Sequence, residues 1–347
     1  MRTLYPRLMT LPTTKLKKKV IEAFRERLGD RDALPYDEYV EWALYSEEIG
    51  YYRSDKERVG RKDCTDFYTS SDLSPIWGEL LVDACKSLLA PRPLAEFAFV
   101  EIAAEPNRSV LSGFKLPFKE IITYRWGDSL EIPENAIVFS NEWLDAQPFK
   151  RFLFSAMEDR WMELGVREEK GHLKESPLSF TDSVTQSFPS HSGSDYLVDW
   201  PSGSISCLSE FLGQSQWTGL FLTFDYGLSF DDLFFQRPTG TSRTFEGHKT
   251  DDNLLLSPGE KDITCHLCWD SLKEILRDCG FSQVTVQRQE SFLMNNAASR
   301  IKEILNEAKG RFSPKLQSLK ELIHPQHLGS KFQALWGIRE NPELDND

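Results

Sequence analysis

Thr218-Gly-Leu-Phe-Leu-Thr-Phe224, closed by Asp225-Tyr226-Gly227, decides the fold. The run is apolar and β-prone, and a glycine turn ends it, so it reads as a strand buried on both faces. Working outward, residues 97–103, 121–125 and 136–139 are buried-strand runs of the same kind. Downstream, 268–279 reads as a helix stopped by Gly280, and 281–286 as the strand after it. Helices over 297–308 and 314–322 then precede a last strand at 332–337. Strands alternating with helices imply a mostly parallel α/β sheet covered on both faces, with ligands beyond the carboxyl ends of its strands. That rule directs attention to Glu101, to Asn141-Glu142 and to Asp225-Tyr226-Gly227.

Upstream of residue 90 the pattern is helical. Leu16, Val20, Phe24 and Leu28 recur on one face of a helix over 15–28. A second helix covers 36–45, with Asp37 and Glu38 opposing the dipole at its start, and a third covers 73–89, with Pro75 in its first turn. Pro91 and Pro93 break the chain there. The organisation expected is therefore a helical region over 1–90 and an α/β domain over 91–347. Residues 150–157 and 161–166 read as a β-hairpin that opens an insertion at about 150–215. Within it 167–195, rich in Ser, Thr, Gly and Pro, reads as a long surface loop, and 228–260 is mostly loop as well.

Composition narrows the function. The 347 residues are 40% hydrophobic and 27% charged, an ordinary globular balance. Forty-one basic residues against 54 acidic ones give a formal charge of −13, which argues against a partner bound through a phosphate backbone, nucleic acid above all. No apolar run approaches the roughly 20 residues that cross a bilayer. Six irregularly spaced cysteines fit a reducing compartment, with the cytoplasm as the default. The first 21 residues hold six basic residues and no acid, but the helical pattern begins at Lys15 and no apolar signal core follows, so the segment reads as the start of the fold. Cys265-His266-Leu267-Cys268 lacks a second ligand pair, so no metal is expected. No nucleophile elbow or phosphate loop occurs.

Four segments together carry a family resemblance. They are Tyr45-Ser-Glu-Glu-Ile-Gly-Tyr-Tyr52; Asp66-Phe-Tyr-Thr-Ser70 with Gly78-Glu79-Leu80; Asn141-Glu-Trp-Leu-Asp-Ala-Gln-Pro148; and the ordered set Asp225-Tyr-Gly227, His248-Lys249, Ser257-Pro-Gly259 and Asp262-Ile-Thr264. The combination, spanning about residues 15–338, resembles the MidA-type methyltransferases, relatives of a mitochondrial complex I assembly factor. The resemblance implies a Rossmann-like fold, S-adenosylmethionine as cofactor and a protein arginine as acceptor. It places Asp66, Thr69, Ser70, Glu101 and Asn141 around the cofactor, and Glu142 and Asp145 at the acceptor, where carboxylates would receive a guanidinium fork. The residues alone leave another reading open, in which Glu142 is solvated and Asp145 caps a turn. Trp143 is likewise open between pocket wall and core.

Two departures accompany the resemblance. The family's glycine-rich cofactor loop is here Glu101-Ile-Ala-Ala-Glu-Pro-Asn-Arg108, without a glycine. Fewer than 40 residues separate the strand ending near Ala103 from the one ending at Asn141, room for one crossover of about 30 residues rather than several. The sheet is thus expected to be abbreviated between its first and fourth strands. Two functions follow: a methyltransferase acting on a protein side chain, or a catalytically degenerate member that binds a protein partner, for which a solvated Glu101 would be dispensable.

Overall fold

The computed structural model describes residues 17–53, 75–104, 109–112, 117–179, 181–191, 193–246, 249–308, 313–324, 326 and 328–340. The elements begin with α1 (Lys18–Leu28), β1 (Leu34–Pro35), α2 (Tyr36–Tyr45), α3 (Ile76–Leu88), β2 (Ala98–Ile102), β3 (Glu120–Tyr124) and β4 (Asn135–Asn141). Next come β5 (Lys150–Ser155), β6 (Arg160–Glu169), β7 (His172–Pro177), β8 (Tyr196–Trp200), α4 (Ser202–Gln214), β9 (Thr218–Asp225), β10 (Gly227–Leu228) and α5 (Phe230–Phe235). The chain continues through β11 (Arg243–Glu246), β12 (Lys249–Asp251), β13 (Asp262–Thr264), β14 (Leu267–Cys268) and α6 (Trp269–Asp278). It closes with β15 (Ser282–Arg288), α7 (Gln289–Asn296), α8 (Ala298–Ala308), α9 (Pro314–Ile323) and β16 (Gln333–Arg339). Two compact units result, each discontinuous in sequence: 1–67, 145–206 and 228–268 form the first, and 68–144, 207–227 and 269–347 the second.

The second unit carries a sheet in the order β15-β16-β9-β4-β2-β3. The neighbours β9, β4, β2 and β3 are parallel, whereas β16 runs antiparallel to both β9 and β15. The sheet holds six strands among the described residues, and β3 is the only strand between β2 and β4, so the abbreviation follows the short interval. Residues 136–140 of β4 are all buried because neighbours flank the strand and side chains cover both faces, hence its unbroken apolar run. On one face an aromatic chain ties the layers together. Phe99 packs on Phe139 at 5.7 Å, and Phe224 meets Trp77 of α3 at 4.8 Å and Phe292 of α7 at 5.3 Å. Helices α8 and α9 close the same core through Ile301, Ile304, Leu319 and Leu322.

The first unit is built on an antiparallel sheet in which β6 pairs with β1, β5 and β7, and β5 with β8. The expected hairpin is β5–β6. The period-2 rule divides β5 between two cores: Leu153 joins Phe24, Tyr39 and Trp42 from the helices, whereas Phe152 and Phe154 join Trp161, Phe188 and Trp200. Two expectations are corrected here. Residues 167–195 are not one loop, because β6 runs on to Glu169 and β7 returns as a third strand. Residues 228–260 contain α5 and the pair β11–β12, and β11 also pairs with β13. These polar strands show weak alternation, so their turn-forming residues dominate the reading.

A buried ion network pins this sheet. Arg151 donates through Nε to Asp199 Oδ1 at 2.7 Å and through Nη2 to Ser242 Oγ at 2.6 Å, pairs with Glu175 and lies over the Tyr36 ring. Asp199 Oδ2 accepts from the amides of Thr241 and Ser242 at 2.7 and 2.8 Å. Gly240 is required there: its φ is +74°, and a Cβ would stand 2.4 Å from Asp199 Oδ2. Burial alone would push the Asp199 carboxyl up, but the Arg151 charge and the amide donors hold it below its ordinary value of 3.8. Its contribution to stability is therefore present in full above that ordinary value and is lost as pH falls through the lower folded one. Asp199→Asn should cost about 1.5–3 kcal/mol in denaturant unfolding at pH 7, because it takes the charged acceptor from the Arg151 Nε and leaves Glu175 as the remaining counter-charge. The difference from wild type should shrink as the medium is acidified.

Candidate functional site

The parallel register of the second unit brings three strand ends together. Ile102 of β2 stands opposite Ser140 of β4, and Asn141 of β4 opposite Phe224 of β9. One residue past its strand, Ala103 has φ +58° and Glu142 has φ +54°. Both are non-glycine residues in the left-handed region, which costs roughly 1–2 kcal/mol each and recurs at ligand sites. Ala103 therefore makes a left-handed turn with a Cβ in place.

Hydrogen bonds fix the side chains around these turns. The Glu142 amide donates to the Phe224 carbonyl at 2.9 Å, and the Leu144 amide to Asp225 Oδ2 at 3.1 Å. The Glu142 carboxylate is half-buried and doubly held. Asn141 Nδ2 donates to its Oε1 at 2.8 Å and Tyr226 OH to its Oε2 at 2.9 Å, so the solvated reading of Glu142 does not stand. Asn141 Oδ1 is buried and has no hydrogen-bond partner among the described residues. Ser140 Oγ donates to Thr223 Oγ1 at 2.8 Å, one layer beneath.

Glu101 is not solvated either; it is 7% exposed. Its carboxylate accepts from Ser109 Oγ at 2.6 Å and from the Val110 amide at 3.1 Å, so it ties residues 109 and 110 to β2. The expectation that Glu101 is dispensable as a solvated group is corrected by this burial. Trp143 is half-buried and packs edge-on to Phe211 at 5.8 Å.

Tyr226 and Asp225, whose motif is visible in the sequence, orient this strand end through their hydrogen bonds. Tyr226 packs at a tilt on Phe332 at 4.5 Å, and its amide donates to Asp225 Oδ1 at 3.1 Å, so both the ring and the backbone of the residue that orients Glu142 are held. The glycine of that motif is a packing residue, since a Cβ at Gly227 would stand 2.4 Å from the Trp269 indole.

Asp145 belongs to the first unit, whereas Glu142 belongs to the second. Asp145 is 3% exposed, its carbonyl accepting from the Cys265 amide at 3.1 Å. The same unit assembles the N-terminal motif around it. Tyr45 stacks on Tyr52 at 5.3 Å and donates to the Ala146 carbonyl at 2.8 Å. Burial first, then the charges of Asp262 and Asp145, push the Tyr52 hydroxyl well above its ordinary value. Gly259 fits only as glycine, because its φ is +80° and a Cβ would stand 2.2 Å from the Ile49 carbonyl. Asp66, Thr69 and Ser70 lie outside the described residues.

Comparison with known proteins agrees with the fold of the chain. Residues 94–287 match the family described as "Putative S-adenosyl-L-methionine-dependent methyltransferase". A COG1565 superfamily protein from Burkholderia thailandensis, solved with S-adenosyl-homocysteine bound, is 20% identical, with 95% of each chain covered and a TM-score of 0.78. A native structure of a COG1565 superfamily protein from the same organism is also 20% identical over 95% of each chain, with a TM-score of 0.75. At such identity the likeness shows the fold. No curated protein matches the chain.

The left-handed turn after β2 makes a direct expectation. Ala103→Gly should stabilise the protein by about 0.5–1 kcal/mol, the relieved strain exceeding the extra chain entropy, whereas Ala103→Val should destabilise it. Thermal unfolding of the two variants against wild type measures both signs.

Proposed function

The chain belongs to this methyltransferase family, and from that premise we propose that it transfers a methyl group from S-adenosylmethionine to a protein side chain, an arginine by its resemblance to the MidA-type members. The observation that carries the reading is the end of β4, where a buried, unpartnered Asn141 Oδ1 adjoins a strained, doubly oriented Glu142. The residues fit the cofactor in kind. Asn141 Oδ1 offers an acceptor to an ammonium or hydroxyl donor, and the turn at Ala103 has the left-handed backbone that glycine would otherwise supply. Asp66, Thr69 and Ser70 join this set by family resemblance. The S-adenosyl-homocysteine bound to the Burkholderia relative supports the same cofactor class here.

When bound, the cofactor supplies a methyl group activated on a sulfonium. The chain's own residues hold the acceptor and manage its proton. Glu142, kept in place by Tyr226 and Asn141, takes an N–H of the incoming guanidinium and accepts the proton released as the nitrogen is methylated. Asp145 has the same recognition role by resemblance, and a separate variant tests it. The five cysteines among the described residues are free, which supports a reducing, cytoplasmic location. No helix among the described residues is long and apolar enough to cross a membrane.

Calorimetric titration with S-adenosylmethionine should give a saturable heat, weakened about tenfold by Asn141→Ala, the worth of one hydrogen bond. Glu142→Gln should keep that heat but lose methylation of an arginine-bearing peptide, followed by S-adenosyl-homocysteine release, and Asp145→Asn should weaken peptide binding. Absence of heat from the wild-type protein at millimolar cofactor would remove the enzymatic reading and leave the chain as a binding protein.

A further inference from the structure

The second unit holds a buried charge that methyl transfer does not use. Arg339, the last residue of β16, is 8% exposed and pairs with Gly219 near the start of β9. Its Nη1 donates to the Ser215 carbonyl at 3.0 Å. Its guanidinium carbon lies 4.7 Å from the Trp217 ring centre and 4.4 Å from that of Phe281. Its Nε is buried without a partner, as is Nε1 of Trp217.

The contrast with Arg151 shows what is missing. Arg151 is 5% exposed and is neutralised by two carboxylates, Asp199 and Glu175, with Ser242 taking a further donor. Arg339 forms no ion pair among the described residues; a carbonyl and two ring faces contact it, with the Cys279 thiol acting on its charge, and the carbonyl and rings attract a cation without supplying a carboxylate counter-charge. Burial accordingly draws the Arg339 guanidinium below the usual arginine range. An unneutralised guanidinium with idle donors is half of a charge-assisted, fork-shaped contact, and the group that completes it is planar or tetrahedral and carries negative oxygens.

We propose that Arg339, framed by Trp217 and Phe281, is a binding site for an oxyanion, a phosphate or a carboxylate, separate from the methyl-transfer site. The separation is built into the strand. Arg339 stands beside Gly219 of β9, whereas Asp225 ends the strand about 20 Å away at the usual rise per residue.

Thermal unfolding and calorimetry of the full chain test this with inorganic phosphate and with acetate, each against chloride at equal ionic strength. The expected result is a saturable rise in Tm with at least one of the two anions. Phosphate alone assigns a phosphate group and acetate alone a carboxylate. Arg339→Gln should abolish the response, and Trp217→Phe, which keeps the ring and removes Nε1, should weaken it about tenfold. In chloride alone Arg339→Gln should melt at or above the wild-type temperature, because it removes an uncompensated buried charge. No shift beyond chloride with either anion, or a shift retained in Arg339→Gln, would overturn the proposal. A lower melting temperature for that variant in chloride would also overturn it by making the arginine a structural clamp.

Discussion

Where β4 ends, its backbone must still be satisfied, and β9 does this twice. The Glu142 amide donates to the Phe224 carbonyl and the Leu144 amide to the Asp225 carboxylate. A buried amide without an acceptor costs about 1–3 kcal/mol, so these two bonds oblige the chain to leave β4 along one path. That path turns Glu142 into the left-handed region and points its carboxylate at Tyr226 and Asn141. The site is thus a by-product of sheet termination: the same acid that caps the exit of β4 also fixes the amide of Tyr226.

The second unit was the more legible part of the sequence, for a physical reason. Strands covered on both faces must be apolar throughout, so 98–102, 135–141 and 218–225 announce themselves without reference to any partner. The short interval between Ala103 and Asn141 was similarly informative, because crossover geometry sets a minimum chain length. The strands of the first unit were less visible. In β7 the sequence His172-Leu-Lys-Glu-Ser-Pro177 buries only Leu173, and its stability comes from pairing with β6. Long-range pairing leaves no local signature in such a strand. The Arg151 network was illegible for the same reason, since its members lie at positions 36, 151, 175, 199 and 242.

At the site, residue types were legible and their states were not. Glu101 and Glu142 stood out as acids at strand ends, but whether an acid is solvated depends on donors elsewhere in the chain. Ser109, Val110 and Tyr226 supply those donors. The missing glycines illustrate the complementary point. Composition suggests that a loop needs glycine for a left-handed backbone, yet Ala103 holds such a turn as a small L-residue.

The position of β16 has a consequence for synthesis of the protein. Residues 333–339 do not sit at an edge; they fill the gap between β9 and β15. Until that stretch leaves the ribosome, β9 has one open side and Phe224 lacks part of its cover, so the sheet cannot close as the chain emerges. The two-unit arrangement adds to this, because neither unit is encoded by a single continuous stretch. Folding of the second unit is thereby tied to completion of translation through residue 339, and the nascent chain must carry exposed apolar strands until then.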